Sequence, residues 1–235
     1  MAAREAFNAR PNLLLNDWES IRRHAIQHGL YVIGVDEAGR GPLCGPVVAG
    51  AVLLAEPCSI NGLACSKTLS ASKRDLLARQ IQESAQAWAV AQASVEEIDQ
   101  LNILQASLLA MHRAVQQVVE LAQLNPSRCL VLVDGNKLPA WPFEAIAVIK
   151  GDTKIPAISA ASILAKVNRD EWCKENALKF PQYELDVNMG YPTARHMALL
   201  TQHGAATIHR RSFRPVREAL QNSRQEQEYG TVDGH

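Results

Sequence analysis

The sequence predicts a three-layer α/β domain built on a mixed β-sheet, and three observations carry that expectation. Its 235 residues, 47% of them hydrophobic, suffice for one full domain with a proper core. Short apolar, β-branched runs alternate with longer segments of helical periodicity. The first two of these runs are joined by only a brief turn-rich stretch, which favours an antiparallel pair at the start of the sheet.

Residues 1–30 are mixed and polar and read as an N-terminal extension; within them Asp17 to Gln27 can form a short helix that Gly29 stops. Tyr31 to Val35 is a buried strand ending at two acids, Asp36 and Glu37. Turn-forming residues from Gly39 to Pro46 follow, and Val47 to Leu54 returns as the second strand. Ser70 or Ser72 can cap a helix that turns Leu76, Leu77 and Ile81 inward. Trp88 to Ala93 reads as a third strand, although its alanines favour helix. Ser94 to Glu97 fits a capping box, opening one long helical pattern from Ile98 to Val118 that Asn125-Pro126 ends. Cys129 to Val133 is a fourth strand and delivers Asp134. Ala145 to Ile149 is a fifth, followed by Lys150-Gly151-Asp152. A helix from about Ser159 carries Ile163, Leu164 and Val167, and Thr193 caps another that stops at Gly204. The end of the chain, residues 218–235, becomes a polar tail expected to be flexible.

Composition narrows the function classes. With 24 basic and 24 acidic residues the formal charge is zero, which excludes a uniformly basic nucleic-acid binder but not a local basic face. The five cysteines lack any C-x-x-C pairing, as expected of reduced, packed thiols in a cytoplasmic protein. No apolar run approaches the roughly 20 residues of a membrane helix, and no signal-peptide core is visible at the N-terminus, so no membrane partner is expected.

Candidate chemistry lies where the carboxylates fall. Asp36 and Glu37 end the first strand, Asp134 ends the fourth and Asp152 follows the fifth. In α/β folds, functional groups gather beyond the carboxyl ends of strands. Several acids converging there repel one another unless a cation neutralises them, and hard oxygen donors suit Mg²⁺ or Mn²⁺ rather than zinc. Two such ions roughly 3.5–4 Å apart can drive in-line phosphoryl displacement. Taken singly, each acid reads equally as a solvated turn residue, and Asp134-Gly135-Asn136 is a good turn sequence. The vicinal pair Asp36-Glu37 before a glycine-rich turn is less ordinary. Within that turn Gly39 and Gly41 permit close backbone approach, while Arg40 can offer guanidinium and main-chain donors to a phosphate or a sugar hydroxyl. As a bare pattern, it is also a tight turn with an exposed arginine.

Val35-Asp36-Glu37-Ala38-Gly39-Arg40-Gly41-Pro42 and Gly45-Pro46-Val47-Val48 form one long motif. Ser66-Lys67, Leu69-Ser70, Asp134-Gly135-Asn136, Lys150-Gly151-Asp152 and Ser159 to Val167 with Arg169-Asp170 follow it. Gly190-Tyr191-Pro192-Thr193 and His209-Arg210-Arg211-Ser212-Phe213 complete the series. Together, over residues 31–217 and in this order, these motifs resemble those of the ribonuclease HII family, the type 2 ribonucleases H.

That resemblance implies a ribonuclease H-like fold with a small helical C-terminal part for substrate binding. It implies an endoribonuclease that hydrolyses RNA in RNA/DNA hybrids and incises 5′ of ribonucleotides embedded in duplex DNA, with Mg²⁺ or Mn²⁺ as cofactor and acting as a monomer. Asp36, Glu37, Asp134 and Asp152 would be the catalytic metal ligands. Asp170 is a rival for the fourth place, but its position well along a helix suits pairing with Arg169 or Lys166 instead. Gly39, Arg40 and Gly41 would read the ribose 2′-hydroxyl, Tyr191 would stack on the next sugar, and Ser66 and Lys67 would meet phosphate. The basic cluster Arg195, His196, His203, His209, Arg210, Arg211, Arg214 and Arg217 suits phosphates or a solvated charged face. Two departures from the family pattern, Cys65 before Ser66-Lys67 and Asn188-Met189 before Gly190-Tyr191, flank recognition elements rather than acids. The other readings are a non-catalytic hybrid-binding protein or another two-metal nuclease of the same superfamily. His24 and His28, one helical turn apart, read as surface residues.

Overall fold

A computed structural model describes residues 17–221, apart from 56–57, 59, 64–65 and 67. Cys65, Lys67 and most of the segment read as a polar tail therefore lie outside the described residues. Five strands form one sheet in the order β3-β2-β1-β4-β5, with β1 Tyr31–Ala38, β2 Val47–Leu53, β3 Ala87–Ala93, β4 Cys129–Asp134 and β5 Glu144–Val148. The first three strands pair antiparallel, whereas β4 and β5 run parallel to β1, so the sheet is mixed as the alternation of elements predicts.

Helices cover both faces. On one face α3 (Val95–Leu101) and α4 (Ile103–Leu121) pack Ile98, Met111, Val115 and Val118 against Ile33, Val35, Val131 and Val133. On the other, α5 (Pro156–Lys179) lies against Val52, Leu130 and Leu132, flanked by α1 (Trp18–His28) through Ile21 and α2 (Ala71–Ser84) through Leu77 and Ile81. Alternate residues of β1 and β4 thus feed two separate cores, as the two-residue period of a strand requires. A smaller unit, α6 (Leu185–Asn188), α7 (Ala194–His203) and a helical segment at 214–221, closes the C-terminal end. Among the described residues no helix is long and apolar enough to cross a membrane.

Helix α5 sits unusually close to the sheet because two glycines leave room. A methyl group on Gly34 would lie 2.1 Å from the Ala157 carbonyl carbon, and one on Gly50 would lie 2.4 Å from the Ala161 oxygen. The alanine- and serine-rich first half of α5 is the other side of that contact.

Several elements depart from expectation, β1 first, which does not end at Val35 but runs through Asp36 and Glu37 to Ala38. The single long helix from Ile98 breaks at Asn102, whose φ of 72° leaves the helical region and whose side chain accepts from the amides of Leu104 and Gln105. An asparagine tolerates that conformation and caps the new helix, which apolar periodicity alone does not reveal. The second helix ends at Leu121, before Asn125-Pro126, which opens a 3-10 turn instead. Helix α5 begins at Pro156 rather than near Ser159, with proline in the first turn where its missing N–H costs nothing. Leu76 is 50% exposed, while Leu77 and Ile81 turn inward as read. Within the supposed N-terminal extension, α1 buries Ile21 in the core and is bounded by Asp17 and Gly29.

Candidate active site

The parallel pairing of β1 with β4 sets the acids side by side. Val35 is in register with Val133, so the next residue on each strand is an acid, Asp36 and Asp134. On β5, Val148 pairs with Asp134, and the chain then turns so that the Gly151 amide donates to Asp134 Oδ1 at 2.7 Å. Asp152 follows at once, in a 3-10 turn held on α5 by the hydroxyl of Ser159, which donates to the Asp152 carbonyl. Three strand ends and one helix thus deliver the four acids to one edge of the sheet.

Their electrostatics are unfavourable as they stand. Asp36 is 6% exposed, and burial, reinforced by the charges of Glu37 and Asp134, pushes its carboxyl well above the usual range. Hydrogen bonds from Ser162 and from the Glu37 amide, the latter at 2.7 Å, oppose that rise. Burial also raises Glu37, with Arg40 pulling the other way through an ion pair at 3.0 Å. Glu37 is thereby engaged by Arg40, and Asp134 by Gly151. Among the described residues no three acids, histidines or cysteines stand together at ligand geometry. A desolvated patch of like charges made of hard oxygen donors fits a divalent cation such as Mg²⁺ or Mn²⁺, which would reverse the repulsion that raises Asp36. Beside the acids a groove of about 240 Å³ runs along α4, lined by Glu37, Asp134, Asn136, Lys137, Leu108 and Met111 among others.

Asp170 stands elsewhere. It pairs with Lys166 at 2.5 Å and Arg74 at 3.5 Å, so it is Lys166 and not Arg169 that answers it. Ser66 is buried, its hydroxyl 2.8 Å from that of Ser162, which in turn bonds Asp36. Ser162 was not read from the sequence as part of the site; only its place in the alanine-serine run of α5 hinted at it.

The glycine-rich loop after β1 is built into the C-terminal unit. Gly39 has φ of 89°, a conformation natural to glycine, and Arg40 is exposed. Leu43 donates to the Gly190 carbonyl at 2.7 Å, Gly45 to Ile208 at 2.8 Å, and Arg210 returns its amide to Leu43 at 2.8 Å. Tyr191, 43% exposed, lays its ring over Gly41, where an added methyl would meet it at 3.3 Å. Asn188 holds this turn from inside. Its side chain donates to the Tyr183 carbonyl at 2.6 Å and accepts from the Gly190 amide at 2.7 Å, so the departure at Asn188-Met189 leaves the turn well bonded.

Part of the basic cluster is corrected here. His196, His209 and Arg210 are fully buried, so they are not phosphate contacts or a solvated face. His196 Nδ1 lies 3.0 Å from the Tyr191 carbonyl, and its Nε2 is 3.4 Å from His209 Nε2. His209 Nδ1 in turn accepts from the Ala206 amide at 3.1 Å. One proton per ring satisfies every link, and burial accordingly lowers both, His209 to about 4. Arg195 and Arg214 are tied to Glu184 and Glu218.

Comparison with known proteins agrees with this geometry. The family model described as Ribonuclease HII matches residues 33–216. Ribonuclease HII of Albidiferax ferrireducens is 55% identical over 192 residues, covering 82% of this chain and 90% of that protein. The Azoarcus enzyme of the same name is 56% identical over 191 residues, or 81% and 91% of the two chains. Among solved structures, ribonuclease H2 of Pyrococcus horikoshii superposes with a TM-score of 0.64 at 26% identity, covering 83% of this chain and all of that one (100%). Bst-RNase HIII, solved with Mn²⁺, shares the fold at a TM-score of 0.67 and 18% identity, over 86% of this chain and 73% of its own. Both the run of motifs from Asp36 to Phe213 and the sheet that gathers its acids therefore have one explanation: the chain belongs to the ribonuclease HII family, hydrolases that cut RNA in RNA/DNA hybrids.

Proposed function

We propose that this endoribonuclease incises duplex DNA on the 5′ side of an embedded ribonucleotide, as well as RNA paired with DNA, leaving a 3′-hydroxyl and a 5′-phosphate. The observation that carries the reading is the junction at the end of β1. Asp36 and Glu37 face Asp134 across a parallel pair, and the Gly39-Arg40-Gly41 loop begins only two residues later. Scissile phosphate and ribose are separated by a similarly short distance in the substrate.

Asp36, Glu37, Asp134 and Asp152 would hold two divalent ions, Mg²⁺ or Mn²⁺. When bound, such a pair supplies the charge that activates water and stabilises the leaving oxygen. The residues of this chain do the rest. Ser162 and the Glu37 amide orient the Asp36 carboxylate, and the Gly151 amide orients Asp134. Arg40 is then free to exchange Glu37 for a phosphate oxygen, an interaction of the same charge-assisted kind. Backbone donors of the Gly39-Arg40-Gly41 loop meet the 2′-hydroxyl, the group that distinguishes RNA from DNA. Tyr191, lying over Gly41 with its ring half exposed, stacks on the following sugar. The phosphate contact expected of Ser66 does not suit a buried hydroxyl, which supports Asp36 through Ser162 instead, and Lys67 keeps the phosphate role.

A duplex carrying one ribonucleotide, incubated in Mg²⁺ and in Mn²⁺, tests the proposal. A single cut 5′ of that residue is expected, with the all-DNA duplex left intact. Binding without cutting in either ion would mark a hybrid-binding protein, and cleavage of both duplexes would mark a nuclease blind to the 2′-hydroxyl.

A further inference from the structure

We propose that Arg210 is a positioning residue that presets the Gly39-Arg40-Gly41 loop for the sugar; this rests on the ribonucleotide reading above. Its guanidinium is fully buried and spends all its hydrogen bonds on carbonyls of one short loop. Nε donates to Gly45 at 2.8 Å, Nη1 to Arg40 at 3.1 Å and Pro42 at 2.8 Å, and Nη2 to Gly39 at 2.6 Å and Pro46 at 3.1 Å. The Phe213 ring lies under the guanidinium at 5.1 Å. Arg169 completes the grip from α5, donating to the Cys44 carbonyl at 2.8 Å and to Cys173 Sγ at 2.7 Å. Among the described residues neither arginine forms an ion pair with a carboxylate.

The consequence follows from the peptide bond. In a planar trans peptide the carbonyl and the next amide point in opposite directions. With the carbonyls of Gly39 and Arg40 drawn to Arg210, the amides of Arg40 and Gly41 are directed away from it. Neither amide makes a hydrogen bond among the described residues. Two adjacent donors are therefore left for a ligand at the place where Tyr191 packs on Gly41. Only arginine carries five donors in a rigid fork, and lysine offers three on a flexible stem, so lysine cannot hold all five carbonyls at once.

Binding measurements in an Asp134→Asn background, which keeps substrate uncut, read this directly. The ratio of affinities for a duplex with one ribonucleotide and for the same duplex in all-DNA form is the quantity of interest. Arg210→Lys should reduce that ratio about fivefold or more while leaving affinity for the all-DNA duplex unchanged; an unchanged ratio in folded protein overturns the proposal. Asp99→Asn is the control. It loosens the same segment, where Asp99 accepts from the amides of Arg211 and Ser212 at 2.9 and 2.8 Å, without touching the loop. It should lower thermal stability but spare the ratio, and an equal loss in both variants would make Arg210 merely structural. Amide exchange at Leu43 and Gly45 needs no substrate. Arg210→Lys, or Phe213→Leu if the lysine variant does not fold, should accelerate exchange at both, and unchanged exchange overturns the brace. If the parent binds both duplexes equally, the ribonucleotide reading fails, and exchange alone decides the brace.

Discussion

The two halves of the site are stabilised in opposite ways. At the sheet edge, Asp36 and Glu37 are like charges held in a desolvated place, and their carboxyls are raised by it. Only two residues further on, the recognition loop is braced from within: Arg210 donates to its carbonyls, and its Leu43 and Gly45 amides donate to Gly190 and Ile208. The first region carries unrelieved like charge, and the second has its carbonyls fixed before any substrate arrives. Chemistry that needs a metal tolerates poor electrostatics in the metal-free fold. Discrimination of one hydroxyl group needs donors fixed in advance.

Removing one acid should separate the halves most strongly. Asp36→Asn or Asp134→Asn should lower turnover about a thousandfold or more, since several kcal/mol of charge stabilisation are lost and about 1.4 kcal/mol is tenfold. The metal-free Asp36→Asn protein should also be more stable than the parent at neutral pH, because a buried charge with a raised pKa has been removed. Cleavage assays and denaturation midpoints check the two parts. Wild-type turnover, or a lower midpoint, would count against the site.

Packing beneath both halves comes next. Gly34→Ala pushes a methyl against the backbone of α5 and should cost about 1–3 kcal/mol or more, read by urea denaturation.

Titration should show the two regions pulling in opposite directions. Asp36 and Glu37 have folded-state pKa values raised above their unfolded ones, so stability from this region is present at low pH and is lost as pH rises through the folded values. His209 is lowered to about 4, so between about 6.5 and 4 the unfolded chain binds the extra proton. Its contribution is therefore lost as pH falls through that window. His209→Gln should flatten the acid-side decline in stability, whereas Asp36→Asn should steepen it. Denaturation midpoints against pH decide this, and slopes of the same sign would refute the contrast.

The smallest effect is expected at the start of α3. Ser94→Ala removes a capping box in which Ser94 and Glu97 satisfy each other's backbone, and should cost about 1 kcal/mol with no change in cleavage.

The acid half was legible in the sequence because its signals are local. Tyr31 to Val35 and Cys129 to Val133 announce strands, and the acid that follows each, Asp36 and Asp134, stands where their parallel pairing ends, although β1 runs on beside β2 to Ala38. The recognition half was only partly legible. Gly39 to Gly41 and Tyr191 were named through family likeness, but Arg210, His196 and His209 read as surface charges. Their burial depends on acceptors remote in sequence: the Arg40 carbonyl that Arg210 holds is 170 residues away. Composition and periodicity carry no trace of such a partner. Asn102 shows the same limit at short range, since apolar spacing runs through it without interruption while its backbone and side chain end one helix and start another.

In the proposed division of labour the acids perform the cut and a separately built loop reads the sugar. Binding and cleavage of a duplex with one ribonucleotide by Asp134→Asn, measured side by side in Mg²⁺, separate the two. Cleavage should disappear while preference for the ribonucleotide duplex over all-DNA persists. Cleavage at the wild-type rate, or loss of that preference together with cleavage, would contradict it.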